Sequence, residues 1–443
     1  MHVGNGFILC IATRNFFLII ALIGGRAMSE VKLEGIMQRE SKNAIDICRE
    51  LVKRPSEDPP GNTIEVTRYI NEYFHKCNID SRIVASRRDK PNVVATIEGN
   101  SPGRHLVFNG HIDTFPVGDA AVWSQNPFGG DVVEGKLYGR GSADMKGGVA
   151  AFICAATMLN EIKEFLPGKI SITCVSDEEV NGPCGSRYLL KTFPELYGDA
   201  LINAEPSSIE HIRIGEKGII QIKVTLRTNG GHGAYAGVRL SAIEEMVGFL
   251  GSLLNFRDDF LGVGDVDIQA MMESCRESYD KMLCKGATDE ALRPSLNIGT
   301  INGGIMVNMV AEKCEAALDF RLPPGLSEKT IVSWVEQKIK KYPQIKYEVI
   351  KEEAAPLTKR NHPLVNIAKQ VASEITGKMI FENYSLGGTE ACLWRSRGVP
   401  AITYGPNHHN MGSPDEYVLA EELPIVARVH ALTAWRFLTK MDI

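Results

Sequence analysis

The sequence predicts an α/β protein: a mixed sheet flanked by helices, interrupted by a smaller α+β domain. Three observations predict it. Short β-branched runs alternate with helical segments over the first half of the chain, the pattern of a sheet with helices on both faces. Near Ile212 that alternation gives way to longer strands, and after Pro356 it returns. At 443 residues the chain is also too long for one core.

Taken in order, Val31 to Cys77 shows helical periodicity in AIDICRELVKR and TRYINEYFHKC, broken by the loop PSEDPPGN. NVVATIEG and HLVFNGHID read as strands. MKGGVAAFICAATMLNEI reads as a helix whose small residues suit tight packing on a sheet, and KISITCVSDEE as a buried strand. SRYLLKTF is helical and ALINAE is a strand. From Ile212, IGEKGIIQIKVTLRTNGGHGAY reads as one alternating strand entering a Gly-rich turn. A helix (SAIEEMVGFLGSLL), the strands LNIGTINGG and KCEAALDFRL, a helix (TIVSWVEQKIKKY) and a strand (IKYEVIKEE) complete the insert. Within it, Asp258 to Arg293 is charged and weakly periodic, an elaborated loop or extra helix. A helix, the strand GVPAITYG and a closing helix end the chain. The expected limits are an apolar extension over 1–28, a first catalytic part over 29–211, a lid or dimerisation domain over 212–352 and a second catalytic part over 353–443.

The net charge of -5 and the lack of a basic run give no footprint for nucleic acid. The ten cysteines form no CxxC pair and read as reduced thiols in a reducing compartment; Cys275 and Cys284 are the one pair weighed as a disulfide and set aside. The apolar stretch from Phe7 to Gly25 is interrupted by Arg14 and Asn15, short of a clean span. The reading adopted is a chain starting at Met28 and staying in the cytoplasm, with no membrane association; export or anchoring by residues 7–25 is the alternative.

Histidine and acidic residues recur just after the apolar strand runs: His111 and Asp113 in GHIDTFP, Asp144 in GRGSADMKGG, Glu178 and Glu179 in SDEEVNG, and Glu205 in NAEPS. A His408-His409 pair follows in GPNHHNMGSPDEYV. Ligands in open α/β sheets collect at the carboxyl ends of strands, so these segments converge on one rim. Imidazole with several carboxylates is a hard N/O donor set for divalent cations. A carboxylate between two cations bridges them, and the water they share becomes hydroxide near neutral pH. Glu178 beside Glu179 then divides two tasks, one binding metal and the other moving a proton. Asp113, two residues beyond His111 on the same side of an extended segment, is placed to orient the imidazole. Any one of these motifs alone reads as a loop or helix start; their order at successive strand ends is what points to a two-metal hydrolase.

The stretches GHIDTFPVGD, LYGRGSADMKGGVAA, SDEEVNGPCGSRYLL, NAEPS, GGHGAY, NIGTINGGIMVNMV, LDFRLPPG, GGTEA and SPDEYV together resemble the M20 metallopeptidase and amidohydrolase family. That family includes acetylornithine deacetylase, succinyl-diaminopimelate desuccinylase, aminoacylase-1 and the glutamate carboxypeptidases. The resemblance implies a zinc-exopeptidase-like catalytic domain with an inserted dimerisation or lid domain. It implies two zinc ions, with cobalt or manganese as alternatives. His111 and Glu205 would each bind one metal, Asp144 would bridge both, Glu179 would be a further ligand, Glu178 the general base and acid, and Asp113 the support of His111. His232 in GGHGAY resembles the lid histidine that reaches the partner subunit's site, which implies a homodimer. Asn308, Arg321, Gly387, Gly388 and Thr389 resemble substrate contacts, the arginine being suited to a carboxylate. The substrate implied is a small N-acyl amino acid or a dipeptide-like amide.

One departure stands out. The family's last ligand is a histidine four or five residues before the Glu of the EYV ending, and here Met411 and Gly412 occupy those places. His408 and His409 are the nearest histidines, and His409, the closer, is taken as the ligand. The competing reading is a non-catalytic metal-binding or regulatory relative; the Glu178-Glu179 pair and His232 argue against it, because a binding module needs no proton shuttle.

Overall fold

The computed structural model describes residues 28–260, 265–354 and 356–440. The apolar stretch over residues 7–25, and with it the reading of export or anchoring, lies outside them. The described residues form two compact units. One comprises residues within Met1–Ile212, Asn361–Ile380 and Ile402–Ile443; the other comprises Arg213–Arg360 and Phe381–Ala401. Among the described residues, no helix is long and apolar enough to cross a membrane.

In the first unit the sheet order is Asp80–Val84, Asn92–Glu98, Pro167–Val175, Ser101–His111, Ala200–Asn203 and Ala401–Thr403. Ser101–His111 runs parallel to both of its neighbours, whereas Asn92–Glu98 is antiparallel to Pro167–Val175. The sheet is therefore mixed, as the fold class anticipated. The helix Gly147–Asn160 is buried nearly all round, the property of a helix enclosed by other elements. Its small residues permit this: a Cβ on Gly148 would stand 1.9 Å from the carbonyl oxygen of Ala204. Close approach of that helix to the chain just before Glu205 thus requires glycine. The closing helix Glu422–Thr439 buries Trp435, Val426 and His430.

The second unit is built on a four-stranded antiparallel sheet in the order Ser295–Gly303, Lys313–Leu322, Gly218–Arg227, Ile345–Glu353. Lys313–Leu322 alternates half-buried and buried residues along its length, the mark of one covered face. Phe249, Phe256, Phe320 and Trp334 pack into its core with the helices Ala242–Leu253 and Glu328–Ile339. The long run from Ile212 is not one strand: it breaks at Lys217 into His211–Glu216 and Gly218–Arg227. Lys217 is 2 % exposed, and its ammonium donates to the carbonyls of Glu290 and Arg293. The charged stretch between Asp258 and Arg293 holds three short helices, Val266–Ser274, Arg276–Met282 and Ala287–Leu292. Phe381–Ser385 is a strand that the sequence pattern did not announce. Every cysteine among the described residues is a free thiol, Cys275 and Cys284 included.

Candidate metal centre

His111 is the last residue of its strand, Glu178 follows the strand ending at Val175, and Glu205 follows the strand ending at Asn203. The three are delivered to one edge because these strands are parallel neighbours. His111 Nε2 lies 3.1 Å from Asp144 Oδ1, 3.4 Å from Glu205 Oε1 and 3.9 Å from Glu178 Oε2. Ligand-type atoms fall into two groups that share the histidine: His111, Asp144 and Glu179, and His111, Glu178 and Glu205, each within 4.8 Å.

The main chain at Glu205, Asp144 and Glu179 is held from behind. The Glu205 N–H donates to Asn203 Oδ1, and the Asn203 amide donates to Asn109 Oδ1 on the adjacent strand. Glu416 Oε1 accepts the N–H groups of Ala143 and Asp144 at 3.0 and 3.1 Å, while its other oxygen takes Arg140 Nη1 at 2.5 Å. Arg140 and Glu416 are both buried, so the turn bearing Asp144 hangs from an enclosed ion pair. Asp113 lies against His111 through both its main chain and its carboxylate. The ring nitrogen Nδ1 of His111 is 3.0 Å from the main-chain oxygen of Asp113 and 3.7 Å from its Oδ1. The carboxylate Oδ2 accepts the N–H of Glu179, tying the two acidic loops together.

Electrostatics mark the cluster as short of positive charge. Burial opposes a charged imidazole at His111, yet Glu205, Asp144 and Glu178 outweigh it and hold the pKa well above its ordinary value. Burial works to raise Asp144, but the hydrogen bond and charge of His111 bring it below the usual carboxylate range. Burial and the Asp144 charge push Glu179 up to about 10. Glu179 Oε1 is also buried without a hydrogen-bond partner. An enclosed N/O donor set with excess negative charge and an orphaned carboxylate oxygen fits divalent cations.

The two histidines of the late loop differ. The His409 ring stacks on Tyr417, with centroids 4.4 Å apart and planes within 4°, and its backbone pairs with the same residue. His408 is close enough to Asp144 for its charge to lower that carboxylate. Neither histidine belongs to the two ligand groups above.

The remaining residues singled out by sequence lie in the second unit. His232 Nδ1 accepts the Ala234 N–H, and its strand Gly231–His232 pairs with Met309–Val310, one residue after Asn308. Arg321 Nε donates to Asp319 at 2.8 Å. The Gly387 N–H donates to Ser385 Oγ, and Gly388 lies beside Ile219, the residue paired with Arg321. The Thr389 hydroxyl is buried on Glu216, which also binds Arg395. Sequence reasoning missed Arg140, Glu216 and Lys90. Glu416 was visible in SPDEYV but served only as a landmark.

A family model described as peptidase family M20/M25/M40 matches residues 107–436. The chain belongs to this family. It is therefore a hydrolase of the M20 metallopeptidase and amidohydrolase type. A succinyl-diaminopimelate desuccinylase of Cereibacter sphaeroides is 30% identical over 306 residues, covering 66% of this chain and 71% of the relative. A probable succinyl-diaminopimelate desuccinylase of Staphylococcus aureus is 26% identical and covers 88% of this chain and 98% of its own. Among solved structures, an M20 metallo-carboxypeptidase of Sulfolobus solfataricus matches with a TM-score of 0.72 at 19% identity, covering 89% of this chain and 99% of that one. A dinuclear metal-binding M20 peptidase of Bacillus subtilis matches with a TM-score of 0.66 at 15% identity, covering 92% and 100%. These structures share the M20 fold.

Proposed function

We propose that this M20 enzyme hydrolyses the amide bond of a small N-acyl amino acid or dipeptide-like substrate, using two divalent cations. The observation that carries the reading is the convergence of His111, Asp144, Glu179 and Glu205 on one edge with Glu178 beside them. Zinc is the first choice for this N/O set, with cobalt or manganese able to replace it. Bound there, the cations supply Lewis acidity and an acidified water. His111, Asp144, Glu179 and Glu205 hold them, and Glu178 takes a proton from the attacking water and passes it to the leaving nitrogen. For the last ligand we take His408 in place of His409, because the His408 charge is felt at Asp144 while the His409 ring is stacked on Tyr417. The names of the curated relatives favour a succinylated amine, and dipeptides follow from the name of a yeast relative, the di-peptidase Dug1p.

His232 is carried forward as the lid histidine that stabilises the developing oxyanion, Asn308 and Arg321 as lid residues near the substrate, and Gly387, Gly388 and Thr389 as the loop that contacts it. The second unit's surface supports a homodimer. The helix Ala242–Leu253 buries one apolar face yet leaves Ile243 and Val247 exposed on the other. Ile305, Met306 and Val307 stand out in the loop after the exposed edge strand Ser295–Gly303. Apolar residues beside an unpaired strand edge suit a second copy of the chain. Free thiols throughout the described residues support the cytoplasm.

The test is a panel of N-succinyl, N-acetyl and longer N-acyl amino acids and dipeptides, given to the zinc-loaded protein beside Glu178→Gln. Turnover lost in the variant, with two zinc ions retained by mass spectrometry, is the expected result. A wild-type protein with two zinc ions and equal turnover in Glu178→Gln would sink the role of Glu178.

A further inference from the structure

Lys90 is 4 % exposed and precedes the strand Asn92–Glu98. Its ammonium bonds Asp58 Oδ2 at 2.6 Å and also Asp177 Oδ1, and both carboxylates are 3 % exposed. One buried cation thus faces two buried anions from distant parts of the chain. Neither carboxylate is a candidate ligand, but Asp177 opens the loop that carries Glu178 and Glu179, and Asp58 lies in a loop hydrogen-bonded to the segment just after His111.

Asp177 immediately precedes Glu178 and Glu179. Its Oδ2 accepts the N–H of Cys184, and its main-chain oxygen accepts the N–H of Gly182, which closes the loop over 177–184. A Cβ on Gly182 would fall 1.9 Å from Asp177 Oδ2, so the loop wraps tightly round that carboxylate. Asp58 stands in the loop between the first two helices after residue 40, and this loop grips the His111 segment. The Asp58 N–H donates to the Thr114 carbonyl, the Thr114 N–H to the Ser56 carbonyl, and the Ser56 hydroxyl to the Ile112 carbonyl. Glu57 Oε1 accepts the Val117 N–H at 2.6 Å. Lys90 is itself anchored: its carbonyl accepts the Ser176 hydroxyl, and its side chain fills the space a Cβ on Gly61 would need, 2.3 Å from its Cε.

We propose that Lys90 is a positioning residue that sets the spacing between the Glu178-Glu179 loop and the His111-Asp113 loop, by clamping Asp177 and Asp58 on one ammonium. The proposal rests on the reading of those four residues as the metal and proton-transfer site. An ammonium joined to Asp177 on the first loop and to Asp58 on the loop that grips the second is suited to this, because each hydrogen bond to a charged partner is short and directional. It complements the hydrogen bond from the Glu179 N–H to the Asp113 carboxylate. Asp58→Asn removes charge with almost no change of shape, and Lys90→Met removes the link while keeping most of the side chain's volume.

The experiment titrates zinc alone into the full chain by calorimetry, for wild type, Asp58→Asn, Lys90→Met and the double variant, with kcat, KM and melting temperature recorded. Outer partners of metal ligands change affinity or activity by about 10–100-fold. Asp58→Asn is expected to stay folded, bind zinc about tenfold more weakly and lose kcat with KM little changed. The double variant should be no worse than Lys90→Met, because both break one clamp. A merely structural role would lower the melting temperature and leave zinc affinity and kcat at the wild-type values; that result in folded Asp58→Asn overturns the proposal, even if Lys90→Met fails to fold. Wild-type protein that takes up no zinc overturns the proposed function and this inference together. Wild type that binds zinc without turning over the panel sinks only the proposed substrate class, and the zinc-affinity comparison still decides for or against Lys90.

Discussion

Replacing Glu416 by Gln tests how the turn bearing Asp144 is held. The wild-type carboxylate pairs with Arg140 and accepts two main-chain N–H groups, all out of water. Glutamine keeps the shape and one acceptor, but turns an N–H donor toward the guanidinium and leaves Arg140 buried with its charge unmatched. Breaking one partner of a buried pair costs about 3–5 kcal/mol. At roughly 2 °C per kcal/mol for a unit of this size, the melting temperature should fall by about 6–10 °C. The pair itself is a poor source of stability. Burial raises the Glu416 pKa even with Arg140 beside it, so desolvation outweighs the attraction. The double variant Arg140→Met with Glu416→Leu should therefore recover most of the lost stability. It should not recover zinc affinity, since the Ala143 and Asp144 N–H groups then lack their acceptor. Urea and thermal unfolding of wild type, Arg140→Met, Glu416→Leu and the double variant give the cycle, with Glu416→Gln measured beside them, and zinc titration gives the second readout. A loss under about 1 kcal/mol in Glu416→Gln, or strict additivity in the cycle, would refute the argument.

Further consequences can be checked alongside. Gly148→Ala places a methyl 1.9 Å from the Ala204 carbonyl, so it should push back the chain before Glu205, lower stability by about 2 kcal/mol or more and weaken zinc binding; a variant with wild-type melting and zinc affinity would show that the helix yields freely. His430 is fully buried, and burial lowers its pKa from 6.5 to about 4. Between those values the unfolded chain binds a proton that the folded chain refuses, so stability should fall as pH drops from 6.5 to about 4, by up to about 3 kcal/mol. His430→Gln retains a donor for the Tyr404 carbonyl and should flatten that acid slope in urea titrations across the window. Chelation should lower the melting temperature and zinc should restore it, since a ligand at 1,000 times its Kd stabilises by about 4 kcal/mol. Val247→Glu should shift the sedimenting species from dimer toward monomer; an unchanged dimer would place the interface elsewhere on the chain.

Periodicity sufficed for the layered architecture. Strands such as Pro167–Val175 and helices such as Gly147–Asn160 are dictated by local composition that tertiary contacts reinforce. The residue types of the candidate centre were legible too, because His111 ends, and Glu178 and Glu205 follow, strands that the pattern reveals. Three things depended on packing. The break at Lys217 follows from a lysine captured by two distant carbonyls, which no strand period encodes. The use of the Asp113 carboxylate on the Glu179 N–H, and of Lys90 on Asp58 and Asp177, joins residues 66, 32 and 87 positions apart. The contrast between His408 and His409 turns on which ring Tyr417 stacks against. Sequence alone determines which side chains are available and on which kind of element each sits, since those depend on neighbours along the chain. Which buried charges meet is decided only when the strands have paired, because the energy of a buried ion depends on the partner that folding brings to it.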